Sequence, residues 1–349
     1  MKKSILYTAG ALAFCELCIA SPAAAQSSVT LYGAADEWVG MQKPLGGKTA
    51  VVLGNSGDSP AFLGFKGRED LGSGYYAIFT LQAFLRMTSG AYGRYNGDSF
   101  FSRNSYAGIE APWGTVTAGR MATLINYNSV SFNPMGDSTV FSPMITRVFN
   151  GVGNQTVLGD SDWNNAVRYV SPNLKGFVGS ALYAFGGAAG EAGQNKWSLS
   201  AAYYNGRFSS SIVYQTIKYN LTADDLGASV AGLTSQSVAE VNVAYDFSLF
   251  KLYGEYLYLK DNVKLGGMSN NTGQVGFTIP VGVGTVKGSY VYSENSQGTV
   301  GQGKTRNIAA LMYDYPLSVR TEIYAAYAYD HFTGLSSGQT LGVGILSRF

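Results

Sequence analysis

The chain has 349 residues and a formal net charge of +2, and only 13% of it is charged, about half the usual share for a soluble domain. Near-neutrality argues against a nucleic-acid partner, and no stretch approaches the ~20 apolar residues that a membrane-spanning helix needs. Glycine (45) and tyrosine (25) are abundant, which narrows an exported chain to two all-β classes, a secreted sandwich or a membrane barrel.

Export is signalled at the start. Lys2 and Lys3 precede the apolar run 5–14, and Ala23-Ala24-Ala25 offers a small-residue cleavage site before Gln26. This predicts a signal peptide over 1–25 and a mature barrel domain over 26–349. Cys15 and Cys18 leave with the signal, so the mature chain holds no disulfide, thiolate nucleophile or Cys-ligated metal. No cofactor is expected.

Down the mature chain, tight turn signals fall at 70–74, 111–114, 172–176, 205–206, 246–248, 282–284 and 316–318. Between them lie longer polar segments at about 42–59, 87–99, 121–163, 186–195, 218–236, 261–271, 294–303 and 331–338. Seven short and eight long connections, strictly alternating, join sixteen strands. The expected fold is therefore a 16-stranded antiparallel transmembrane β-barrel, with short periplasmic turns and long extracellular loops.

The strands alternate accordingly. Leu63, Phe65 and Gly67 share one face, while Phe62, Gly64, Lys66 and Arg68 share the other. Tyr106 and Gly108 oppose Arg103, Ser105 and Ala107, which by parity sends Arg103 inward and Tyr106 toward lipid. Val286, Tyr290 and Tyr292 oppose Thr285, Lys287 and Ser289. In 319–330, Val319, Ile323, Ala325 and Tyr327 suit lipid, whereas Arg320, Glu322, Tyr324 and Asp330 suit water. The segment 249–260 carries apolar residues on both faces. The chain closes on Leu341, Val343, Ile345 and Phe349 at period two, a strand expected to pair with the first one and leave no free edge.

These residues also resemble a family. Ser28-Val29-Thr30-Leu31-Tyr32-Gly33 resembles the opening strand of Gram-negative general porins of the beta-proteobacterial and neisserial type. Phe62-Leu63-Gly64-Phe65-Lys66-Gly67-Arg68-Glu69-Asp70-Leu71-Gly72 is similar to their second strand and first turn. Tyr106-Ala107-Gly108-Ile109 with Trp113-Gly114-Thr115-Val116-Thr117-Ala118-Gly119-Arg120 is similar to the fourth and fifth, and Val167-Arg168-Tyr169 to the sixth. The resemblance implies a general diffusion porin: a water-filled homotrimeric pore in outer-membrane lipid, passing ions and small hydrophilic solutes.

The segment 121–163 is by far the longest connection, and unusually long loops tend to be functional. In the family this third loop folds into the lumen and makes the constriction, with Asn133-Pro134-Met135-Gly136-Asp137 resembling its tip. Its carboxylates Asp137, Asp160 and Asp162 are candidates for the acidic side. Parity makes Lys66, Arg68, Arg103 and Arg168 candidates for the basic wall, since rows of charge set ion selectivity at close range. Phe62 and Ala34 stand where relatives carry basic residues, so the wall should be less positive than theirs. Arg120 shares parity with Val116 and Ala118. The only histidine, His331, has no telling serine beside it, so a barrel-wall hydrolase lacks its base and nucleophile.

Overall fold

The computed structural model describes residues 28–151, 157–186, 195–218, 232–263, 266–297 and 303–349. The expected signal peptide lies outside these residues, as do most of the loops expected at 186–195 and 218–236. One antiparallel sheet contains every ladder segment that crosses the barrel. In chain order they are β1 (Ser28–Lys43), β2 (Ala50–Asn55), β3 (Phe62–Gly72), β4 (Tyr75–Arg86), β5 (Ala91–Tyr92), β6 (Asn104–Ala111), β7 (Gly114–Ala122), β8 (Asp162–Val170) and β9 (Phe177–Ala184). Then follow β10 (Lys196–Asn205), β11 (Phe208–Lys218), β12 (Leu233–Asp246), β13 (Lys251–Val263), β14 (Gly266–Val281), β15 (Gly284–Gln297), β16 (Thr305–Pro316), β17 (Thr321–Phe332) and β18 (Gly338–Arg348).

Eighteen segments make sixteen crossings. β2 and β3 both pair with β1 on the same side, so they are two halves of one interrupted strand. β5 pairs only with the end of β4 and belongs to a loop hairpin. β18 closes the sheet on β1, with Ile345 opposite Glu37 and Leu341 opposite Met41. The backbone of Phe349 exchanges hydrogen bonds with Gly33 at 3.0 and 3.1 Å, which finishes the seam. All seven short turns sit at the expected places on one rim.

The alternation follows the solvent on each side. Ile323, Tyr327, Val343 and Ile345 stand exposed on the outer wall, while Tyr324, Ala326 and Leu346 are buried inside. The segment 249–260 resolves for a reason that periodicity alone could not supply. Leu252, Tyr256 and Tyr258 face out, and Leu257 and Leu259 face in beneath a helical loop that keeps them dry.

Three expectations need correction. The segment 261–271 is not a long loop, because β13 and β14 stay paired up to Val263 opposite Gly266. Asp261 and Asn270 belong to the inner wall; buried Asn270 donates to Ser293 and Asn295. The segment 42–59 contains β2, and only 44–49 forms the turn above it. The parity of β6 is reversed. Asn104 and Tyr106 share the lumenal row with Gln82 and Thr80, and Ser105, Ala107 and Ile109 face out.

Candidate functional site: the lumen and its inward loop

The connection from β7 to β8 spans 123–161, and its described residues fold inside the barrel. It carries two short helices, α1 (Leu124–Ser131) and α2 (Pro143–Phe149). Thr123 caps α1 by accepting from the Asn126 N–H at 3.1 Å, and Ser142 caps α2 with Pro143 in its first turn. One loop face is apolar. Leu124, Ile125, Met144, Val148 and Leu158, joined by Met121 at the end of β7, pack on inward residues of β11 to β15, including Val213, Val238, Leu257 and Val291. Burying such side chains is worth about 1.5–3 kcal/mol each. The loop is thus held as a small hydrophobic core on the inside of the wall.

The tip continues this packing. Met135 and Phe141 join Trp38, Met312, Ala326 and Leu346. Pro134 lies so close to β14 that a Cβ on Gly276 would come within 2.6 Å of its ring, which fixes glycine there.

The tip also meets the break between β2 and β3. Residues 56–61 stand opposite only Ala35 and Asp36 of β1, and the excess chain turns into the lumen. Ser138 donates to the Gly57 carbonyl at 2.5 Å and Thr139 to that of Ser56 at 3.3 Å. Ser59 donates to Asp137 at 3.2 Å.

With the loop laid over β10 to β18, the open space is a cavity of about 830 Å³ between the loop and the wall from β3 to β8. Arg86, Arg94, Arg103 and Arg168 reach it from the wall side, and Asn126, Tyr127, Ser131, Asp137 and Thr139 from the loop. Arg103 spans the gap: it pairs with Asp137 at 3.1 Å and lies 4.1 Å over the Phe62 ring. Burial pushes the Asp137 carboxyl above the usual carboxylate range, against the opposing pull of Arg103. Arg94 pairs with Asp98 at 2.9 Å and with Asp160 at 2.6 Å, and Asp160 also meets Arg120 at 3.0 Å. Burial alone would raise both carboxyls. The arginines outweigh it, bringing Asp98 down to about 2 and Asp160 below its ordinary value.

Arg86 and Arg168 differ from the rest. Arg86 donates to the amide oxygen of Asn96 and the carbonyl of Tyr92, and Arg168 lies 5.8 Å from the Tyr106 ring. Neither meets a carboxylate among the described residues. The border of the cavity is therefore positive, in a space narrow enough for fixed charges to act on passing ions.

The other candidates separate. Lys66 is exposed on the lumenal wall, 5.0 Å from the Tyr32 ring and nearer the short-turn rim. Arg68 lies lower still, paired with Glu110 at 3.0 Å and both half exposed. Asp162 borders the cavity but is only 4% exposed and accepts from the Ser161 hydroxyl at 2.6 Å. Arg103 reaches the lumen from just before β6, not through strand parity. Arg120 follows a register shift between Gly119 and Met121 that swings it onto Asp160 and the Ser102 carbonyl. Sequence reasoning missed Arg86, Arg94 and the break at 56–61. Arg86 was within reach, because Gln82, Phe84 and Arg86 alternate with outward Ala83 and Leu85.

The comparisons agree with this geometry. A Gram-negative porin family model matches residues 8–335. Over 344 residues the chain is 30% identical to outer membrane porin protein 32 of Delftia acidovorans, covering 94% of this chain and 89% of that one. The anion-selective porin from Comamonas acidovorans superposes with a TM-score of 0.79 at 26% identity, covering 93% of this chain and 100% of the other. The trimer form of OmpT from Vibrio cholerae shares the fold, with a TM-score of 0.67 at 15% identity over 93% of this chain and 99% of that one. The structures that share this fold thus include one described in a trimer form. The chain belongs to the Gram-negative porin family: it is a multi-pass outer-membrane β-barrel, a diffusion porin and not an enzyme.

Proposed function

We propose that this porin is a homotrimeric general diffusion pore for ions and small hydrophilic solutes that prefers anions. Its constriction lies between Arg86, Arg94, Arg103 and Arg168 on the wall and Asp137 on the loop. The observation that carries the sign is the pair Arg86 and Arg168, two lumenal cations that no carboxylate neutralises among the described residues. The resemblance to an anion-selective porin supports the same sign. Asp160 and Asp162 act from behind, Asp160 by holding Arg94 and Arg120 in place. Lys66 extends the positive wall below the constriction, while Arg68 is largely offset by Glu110. Residues 1–25 serve as the export signal.

The outer wall supports assembly. An aromatic row marks the upper lipid boundary on the later strands, through Tyr183, Tyr214, Tyr258, Tyr292 and Tyr327. Among the described residues, the outward positions of β1 to β7 offer at that level only Tyr92, in the loop hairpin above β4. Elsewhere they carry Val39, Met41, Leu53, Ala83 and Ser105. Glu37 points outward within this arc, midway up β1, between Val39, Leu53 and Ile345, with no hydrogen-bond partner among the described residues. A carboxylate is unfavourable against lipid at that depth. A neighbouring protomer is the better occupant.

Reversal potentials in a potassium chloride gradient across a planar bilayer test the sign. The intact protein should prefer chloride, and replacing both Arg86 and Arg168 by alanine should move it toward neutrality. A cation preference of the intact protein overturns the reading.

A further inference from the structure

The break at 56–61 is a defect in the wall, and the chemistry around it is unusually complete. Six residues on one strand face two on the other, so the backbone N–H groups of Gly57, Asp58 and Ser59 lose their ladder acceptors. Asp36, fully buried on the lumenal face of β1, replaces those acceptors. Its carboxylate accepts from the N–H of Gly57 at 3.0 Å, Asp58 at 2.8 Å and Ser59 at 2.8 Å, and from the Tyr324 hydroxyl at 2.6 Å. Asp58 is held from across the lumen by Lys287 of β15 at 3.0 Å. The middle of the break is therefore held twice, by its backbone on Asp36 and by the Asp58 side chain on Lys287. Its outer edge is what the loop tip docks on, through Ser138, Thr139 and the Ser59–Asp137 bond.

We propose that Asp36 is the positioning residue of the constriction. It does not itself line the cavity. It shapes the break at 56–61 into a strut, and the strut sets where the loop tip, and with it Asp137, stands against Arg103. This rests on the reading of that gap as the constriction.

An asparagine at this position keeps the shape but replaces one acceptor oxygen by an N–H₂ group facing the same donors. Some buried N–H groups then lose their partner, a costly arrangement. The test is single-channel recording of Asp36→Asn and, separately, Ser138→Ala. The second removes the tip's bond to the strut, together with the bond that Ser138 accepts from the Phe141 N–H within the tip, and leaves the barrel wall untouched. The expected result is a stable trimer with the usual melting behaviour on semi-native gels. Time in partial-conductance states rises about tenfold for Asp36→Asn, which corresponds to about 1.4 kcal/mol, and rises less for Ser138→Ala.

Steady currents like the intact protein's in Asp36→Asn overturn the proposal. So does a misfolded Asp36→Asn together with a silent Ser138→Ala, since Asp36 would then serve the barrel alone. A misfolded Asp36→Asn with a noisy Ser138→Ala supports it. Failure of the constriction reading shows elsewhere, as an ion preference that does not respond to charges at the gap in otherwise steady channels.

Discussion

Replacing Asp137 by asparagine removes the loop carboxylate that meets Arg103 across the gap, at 3.1 Å. An ion passing about 5 Å away in water feels a unit charge by about 0.8 kcal/mol. At 0.1 M salt the ~10 Å Debye length trims this to about 0.5 kcal/mol. Anions gain and cations lose by that amount, so the ratio of their permeabilities shifts by about 1 kcal/mol, or roughly fivefold toward anions. At 1 M salt, where the Debye length is ~3 Å, the shift should fall below about twofold. Reversal potentials at the two salt levels read it directly. The acidity of Asp137 adds a second signature. Its carboxyl lies above the ordinary value through burial, while Asp98 and Asp160 lie below theirs. As pH falls toward the carboxylate range, Asp137 takes up its proton before Asp98 and Asp160 do, and Arg103 loses its counter-charge. The anion preference of the intact protein should therefore rise over that window, and Asp137→Asn should lack the step. An unchanged reversal potential in folded Asp137→Asn channels at 0.1 M salt would refute the reasoning.

Two further outcomes are expected. If the arc containing Glu37 faces another protomer, Glu37→Leu leaves a partner donor unpaired and lowers the temperature at which trimers dissociate on semi-native gels, by an effect of about 1–3 kcal/mol per contact; a rise would put Glu37 against lipid. Leu257→Ala, at a 1% exposed site on the wall behind the loop, should cost about 2–5 kcal/mol of packing. The strand ladder remains intact, so the barrel should still assemble and the loss should appear as unsteady conductance; quiet channels would mean that the apolar bed does not hold the loop.

The strand count was legible because turn chemistry is local: Gly, Pro and Asn at 70–74, 172–176 and 205–206 act through their own dihedrals. Facing was legible wherever one side meets lipid and the other water, as in β17. It failed where that contrast is absent. In β13 the inward leucines lie under the loop, and in β6 the large residue, Tyr106, is the lumenal one while Ser105 and Ala107 lie outside. A rule that sends bulk toward lipid inverts on an arc with small outward residues. Asn270 and its neighbours were read as loop because polar content was taken for solvent exposure, whereas they bond along the inner wall. The site was legible as residue types but not as partners. Nothing near Asp36 in the sequence announces the three N–H groups twenty-one to twenty-three positions away.

The loop lies along one side of the barrel only, and this divides the circumference into two regimes of constraint. Behind the loop, the strands from β11 to β15 are sealed as tightly as the interior of a soluble globule. A charge put in place of one of these apolar side chains would unseat the loop and not tune the current. The arc from β3 to β8 borders water, where side chains can change in size and sign at little cost to folding. Retuning this protein for a different solute is thus a matter of editing a third of its wall, and the remainder supplies a fixed mould against which such edits are read.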